Sequence, residues 1–295
     1  MKKQQQADML LLLYALIMGG TSIILKQVTQ ELLIFNFMAD RFFCAFLVCL
    51  ILFWRRCRSF FTRSLLGHAV LVGLVTYLAH LTCTTGIAIT PVGIAGFLTS
   101  LQTIVVPLVG FLFLRQRLSR KTILCVLAAF LGVCLISIGN LEYSGGVWLC
   151  LSSSLLAGVQ ILMTEYYVKR GDDGTALLIG ELGTMALCAI VVAFCTDGLH
   201  APSGGFGWFA VLWTGIISTA VATYIQNFAQ KYTSSVRTGI IFSTIPVFTL
   251  IGSRLFFHES FSFRAWLGAA LLMISVLTIE LTGTSAAESE EGEKQ

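Results

Sequence analysis

Inside the apolar stretches of this 295-residue chain, few side chains could carry charge or move a proton. Asp40 and Arg41 are adjacent, Glu181 is flanked by Gly180 and Gly183, and His80 has Tyr77 and Thr84 at i−3 and i+4. An ionisable group in hydrocarbon is costly unless it is paired or faces water, so position alone makes each a functional candidate. A carboxylate at Glu181 or Asp40 suits a coupling proton or a cationic solute. The flanking glycines let another helix approach closely. Snorkelling toward headgroups is the competing role for Glu181. Asp40 and Arg41 point about 100° apart on a helix and cannot both face one cavity fully; their competing role is to pair with neighbouring helices and lock the bundle.

Polar stripes extend the set. Tyr77, His80 and Thr84 share one helix face, and a polar stripe in hydrocarbon must face protein or water. Imidazole titrates near neutral pH, which suits a cavity role for His80; a hydrogen bond to a neighbour such as Gln102 is the structural alternative. Thr99, Gln102 and Thr103 precede Pro107, and Ser243 and Thr244 precede Pro246. Proline frees a backbone carbonyl and either hinges or statically kinks a helix. Gln160 follows Ser153 and Ser154, while Thr219, Thr223, Gln226 and Asn227 form a further stripe. Tyr14 and Tyr224 are the aromatic candidates. The expected substrate-binding set is Tyr14, Tyr77, His80, Gln102, Gln160, Thr223, Tyr224, Asn227 and Ser243, with Glu181 and Asp40 for coupling.

The elements that must hold these residues follow from composition. The chain is 56% hydrophobic and 12% charged, half the usual charge of a soluble domain, with a mean hydropathy of +0.86. A helix needs about 20 apolar residues to cross a bilayer. On that ruler the chain reads as ten spans: 8–27, 33–54, 66–88, 92–114, 121–139, 146–167, 175–195, 206–229, 235–257 and 263–281. Linkers carry breakers or charge, such as Thr90-Pro91 and Gly171-Asp172-Asp173-Gly174, and the tail 283–295 is acidic with the composition of a disordered segment. Lys2 and Lys3 precede an apolar run without a small-residue cleavage site, so the first helix is expected to be retained. Trp54, Trp148, Trp208 and Trp213 lie toward span ends, where tryptophans form an interfacial belt. The nine cysteines form no CxxC pair and sit mostly in apolar runs, where they read as small apolar residues. No metal or other cofactor is expected. The net charge of +4 forms no basic face, which argues against nucleic-acid binding.

Lys and Arg near the span ends set the orientation. With the N-terminus inside, fifteen of the nineteen basic residues fall on the cytoplasmic side, and only Lys26, Arg254 and Arg264 on the other. Both termini are therefore expected to be cytoplasmic, in a multi-pass protein of the inner (cytoplasmic) membrane. An offset of 143 residues brings Thr90 to Thr233, Gly96 to Gly239, Ser100 to Ser243, Phe113 to Phe256 and Ser119 to Ser262. The expected organisation is a short cytoplasmic N-terminus (1–7), one five-helix repeat (8–139), a second (140–282) and the tail. Five spans per half invert the second half relative to the first, as in many secondary transporters.

Several segments resemble a known family. Met18-Gly19-Gly20-Thr21-Ser22 with Lys26, then Ala39-Asp40-Arg41-Phe42-Phe43, occur in the first half. Ala229-Gln230-Lys231-Tyr232-Thr233-Ser234, Pro246-Val247-Phe248 and Glu259-Ser260-Phe261-Ser262 occur in the second, with Gln116 where the repeat would place another glutamate. In order and spacing these resemble the EamA-type, ten-helix branch of the drug/metabolite transporter superfamily. The resemblance implies an all-α integral membrane permease with a solute cavity between its repeats. It implies alternating access but no particular substrate; the expected cargo is a small organic solute such as an amino acid, amine or related metabolite or drug. Export and proton coupling are the expected mode, with membrane lipid as the other partner. Glu259 reads as a turn residue rather than a ligand.

Two other classes compete. An integral-membrane transferase would want a second acidic cluster facing Asp172-Asp173, and none is evident. A non-transporting scaffold has no need for His80, Gln102 or Glu181 away from partners. No GxxxxGK[ST] phosphate loop is present, which argues against ATP hydrolysis by the chain.

Overall fold

The computed structural model describes residues 3–57, 62–89, 120–137 and 145–257, with short pieces between 98 and 110 and between 263 and 278. The described residues are helical and contain no strand. The main helices are α1 (Lys3–Glu31), α2 (Ile34–Cys57), α3 (Arg63–Ile89), α4 (Arg120–Ser137), α5 (Gly145–Lys169) and α6 (Gly174–Thr196). They continue with α7 (Gly204–Leu212), a π-helical stretch Trp213–Val221, α8 (Ala222–Gln230), α9 (Ser235–Phe242) and α10 (Ile245–Phe257). Among the described residues, six stretches are long and apolar enough to cross a membrane: Lys3–Glu31, Ile34–Arg55, Arg63–Ile89, Gly145–Lys169, Gly174–Thr196 and Gly204–Gln230. The expected spans 92–114 and 263–281 fall largely outside the described residues. So do Thr90-Pro91, Gln116, Glu259 and the tail.

Two expected spans are not simple α-helices. The 206–229 span changes to π-helix over Trp213–Val221, where Ala222 N–H reaches back five residues to the Ile217 carbonyl. The 235–257 span is two helices interrupted at Ser243 and Thr244. Pro246 has no N–H for the Phe242 carbonyl, so the ladder cannot run through. The turn closes instead through Ser243 N–H to Gly239 O at 3.1 Å and Thr244 N–H to Ile241 O at 3.0 Å. The Ser243 and Thr244 hydroxyls donate to the carbonyls of Ile240 (2.6 Å) and Ile241 (2.7 Å).

The bundle is apolar both inside and out. Phe37, Met38, Phe42 and Ala45 of α2 pack against Leu178, Ile179, Leu182 and Met185 of α6. Large side chains such as Phe43, Ile51, Leu78, Leu187 and Phe194 face outward, as lipid contact requires. Trp54, Trp148, Trp208 and Trp213 are exposed too, in keeping with an interfacial belt. Helix α3 lies along both α5 and α6. Its contact with α6 needs glycine from both sides. A Cβ on Gly180 would stand 2.6 Å from Ala69 Cβ, and one on Gly73 would stand 2.8 Å from Glu181 O. The close approach expected of Gly180 is thus present, and it brings Thr76 of α3 onto the side chain of Glu181. At the start of α6, Asp173 caps the helix by accepting from Thr175 N–H (3.0 Å) and Ala176 N–H (2.9 Å). Asp172 binds His68 Nδ1 at 2.7 Å, so the doublet is structural rather than a freely solvated loop.

Candidate functional site

Glu181 is fully buried where α3, α5, α6 and α8 meet. Its Oε1 lies 2.8 Å from Thr76 Oγ1 and accepts from Gln160 Nε2 at 3.5 Å. Gln160 Nε2 also donates to Thr164 Oγ1 (3.1 Å), and Gln160 Oε1 accepts from Gln226 Nε2 (3.0 Å). Asn227 adjoins the carboxylate, yet no hydrogen bond of ordinary geometry reaches Glu181 Oε2. Asn227 Nδ2 donates to Gly174 O at 3.4 Å. Two of the expected solute ligands, Gln160 and Asn227, therefore join the expected coupling residue Glu181 in one cluster. Glu181 is occupied by protein neighbours rather than snorkelling outward.

A second group surrounds Arg41, which is 2% exposed. Its Nε donates to Thr219 Oγ1 at 2.8 Å, and its guanidinium lies 5.3 Å from the Phe42 ring centre. The π-helical stretch makes this contact possible. Thr219 donates its own hydroxyl to Thr214 O at 2.8 Å and leaves a lone pair for Arg41. Gly215 lets α2 come close, since a Cβ there would lie 2.9 Å from Arg41 O. A π-segment inserted in a helix often marks a functional site. The charge of Arg41 acts on Tyr14, His80 and Cys83, and Tyr14 also lies in the field of Glu181. Tyr14, His80 and Cys83 each keep part of their surface accessible. Tyr14 stacks on Phe242 with ring centres 4.2 Å apart, and His80 lies 5.5 Å from Phe42.

The remaining expected residues are placed less centrally. Tyr77 is buried edge-on to Phe42 at 6.3 Å. Tyr224 stacks on Phe53 at 5.2 Å, which commits its ring to α2. Thr223 is half-buried beside it, and Gln102 is half-buried in a segment of which only short pieces are described. Ser243 is fully buried, and its hydroxyl is committed to the helix break. Asp40, the second expected coupling residue, lines a cavity of about 220 Å³ at the far end with Glu31, Asn36, Phe37 and His200, apart from Glu181. Its neighbour Arg41 holds the central position.

At the opposite end, two buried carboxylates grip the start of α9. Asp8 binds Arg237 Nη2 at 2.5 Å and accepts from Thr233 Oγ1 at 3.1 Å. Glu165 accepts from Ser235 N–H (3.0 Å) and from Ser235 Oγ, and pairs with Lys169 at 2.6 Å. These contacts join α1 and α5 to α9.

The sequence profile of the EamA-like transporter family matches this chain twice, over residues 5–138 and 144–281. The chain belongs to the EamA-like transporter family. Family membership and the apolar helices make it a multi-pass membrane transporter. A protein of Archaeoglobus fulgidus named as an uncharacterized transporter is 27% identical over 95% of this chain and 87% of its own length. The Bacillus subtilis uncharacterized transporter YetK is 22% identical over 92% of this chain and 86% of its own. A solved crystal structure shares the fold with a TM-score of 0.79 at 16% identity, covering 95% of this chain and 99% of that one.

Several residues in this family member's interior escape a reading by sequence. Thr76 stands four residues before His80, so the stripe already noted contained a signal for it. Gln226 lay within a recognised stripe without being singled out. Asp8, Glu165 and Arg237 sit near helix ends, where charge is expected anyway, and nothing local reveals that they are buried.

Proposed function

We propose that this EamA-family chain is a secondary transporter that exports a small organic solute, such as an amino acid, amine or related metabolite or drug. In this reading ten spans form two inverted repeats, 8–139 and 140–282, in the cytoplasmic membrane with both termini inside. The solute occupies the space bordered by Tyr14, His80 and the Gln160–Asn227 side of the bundle, and Glu181 carries a coupling proton. The observation that carries the reading is the hydrogen-bond pattern at Glu181. Thr76 Oγ1 lies 2.8 Å from both the Val72 carbonyl and Glu181 Oε1. A hydroxyl has one proton, and an ionised carboxylate can only accept. With the proton on Glu181, the carboxyl donates to Thr76 and Thr76 donates to Val72, satisfying both contacts. A site that accommodates a proton in this way suits proton coupling. The ties of Asp8 and Glu165 to the start of α9 and the interrupted α9–α10 helix support a two-sided, rocking mechanism.

Purified protein in liposomes on a solid support, challenged with pooled amino acids, amines, nucleosides and cationic drugs, tests this reading. A saturable, pool-specific current that follows an imposed pH gradient is expected. Solute flux that ignores the pH gradient refutes the proton coupling. Absence of both current and radiolabel counterflow in every pool refutes the transporter.

A further inference from the structure

Arg41 is a full positive charge in the interior without a carboxylate to meet it among the described residues. Of the fifteen acidic residues, eight are described. Asp8 is held by Arg237, Glu165 by Lys169 and Ser235, and Asp172 by His68. Asp173 caps α6, and Glu31 and Asp197 lie at helix ends. Asp40 lines the far-end cavity, and Glu181 is bonded to Thr76 and Gln160. Thr219 takes only Nε of Arg41, so both Nη nitrogens have no protein acceptor among the described residues. Neither Nη is among the sealed, unsatisfied polar atoms of the bundle. They therefore keep some accessible surface, as do Tyr14, His80 and Cys83 within range of the same charge.

An uncompensated buried charge is strongly destabilising. A guanidinium presents its N–H groups as a rigid fork that matches a carboxylate bidentately. Here one arm of the fork is anchored by Thr219 of the π-helical stretch, and the two Nη nitrogens have no acceptor among the described residues. We propose that Arg41 is the anion subsite of the central cavity and receives the carboxylate of an organic acid solute. The half-buried Tyr14, stacked on Phe242, supplies aromatic surface in the field of that charge, so the acid it takes carries an apolar or aromatic body. This assignment rests on the transporter reading and deepens it by naming the solute class.

The full chain in lipid nanodiscs is titrated calorimetrically with L-phenylalanine, L-leucine and phenylacetate, each beside its amide. At least one acid is expected to bind, with its amide at least about 30-fold weaker. Arg41→Gln is expected to erase that preference and Arg41→Lys to keep part of it, because an ammonium lacks the fork. If Arg41→Gln fails to fold, Thr219→Val keeps the charge and releases only Nε. It is expected to weaken acid binding and leave amide binding unchanged. Acid and amide binding alike to the wild type, no acid binding, or a folded Arg41→Gln protein with intact acid preference each overturns the assignment. Flux in liposomes is read separately. Arg41-dependent acid binding without flux of any pool refutes transport and leaves the subsite standing. Flux of cationic or neutral solutes only, unchanged in Arg41→Gln, refutes the subsite and leaves transport standing.

Discussion

The Asp8–Arg237 pair offers the sharpest energetic test of this bundle, because its strength depends on burial rather than on the mere presence of two charges. Asp8 is 1% and Arg237 11% exposed, and they meet at 2.5 Å. Breaking a buried pair by removing one partner costs about 3–5 kcal/mol, because the other charge stays desolvated. Two local features place Asp8→Asn in the upper half of that range. Asp8 serves two donors, Arg237 and Thr233, and the single acceptor oxygen of an asparagine cannot serve both. Arg237 also lies in the first turn of α9, where the helix dipole disfavours positive charge. Asp8→Asn should destabilise by about 4 kcal/mol and Arg237→Gln by about 3 kcal/mol, since Asp8 then keeps Thr233 and a cation leaves the helix N-terminus; the double variant should cost little more than Asp8→Asn alone, giving a coupling of about 2.5 kcal/mol. SDS-driven unfolding in mixed micelles, followed by tryptophan fluorescence, measures all four proteins. Additive losses within about 0.5 kcal/mol would refute the reasoning, since they would mean that each charge is solvated independently.

Further expectations use the same structure. The His68–Asp172 contact is 34% and 21% exposed, so Asp172→Asn should cost no more than about 1 kcal/mol in that titration. Gly180→Val would drive a side chain into Ala69 and should destabilise by about 1–3 kcal/mol through overpacking, read as a fall in thermal midpoint. Glu181→Gln should leave the elution profile and unfolding unchanged while abolishing the pH dependence of solute flux; unchanged pH dependence removes Glu181 from the coupling step. His80→Ala makes no hydrogen bond disappear among the described residues, so it should weaken solute binding more than it lowers the thermal midpoint.

What could be read from the sequence was everything that depends on composition and local period. Hydropathy and span length imply a helical, multi-pass membrane protein, and the six long apolar helices lie within a few residues of their expected positions. The glycines beside Glu181 announced a close helix contact, because the absence of a side chain is itself a local fact. Residue types likewise marked Glu181, His80 and Gln160 as out of place in hydrocarbon. Pairing and depth were decided only by the tertiary structure. Asp8 and Arg237 are 229 residues apart, and no periodicity links them. Asp40 and Arg41 are indistinguishable by position in the chain. The helical rotation between them sends one to the far-end cavity and the other to the centre. The π-helical turn that aims Thr219 at Arg41 has no sequence signature of its own, because it arises from how α2 and the 204–230 helix pack around Gly215. Local chemistry determines which residues are expensive to bury; only the assembled bundle decides which of them find a partner and which are left facing the interior.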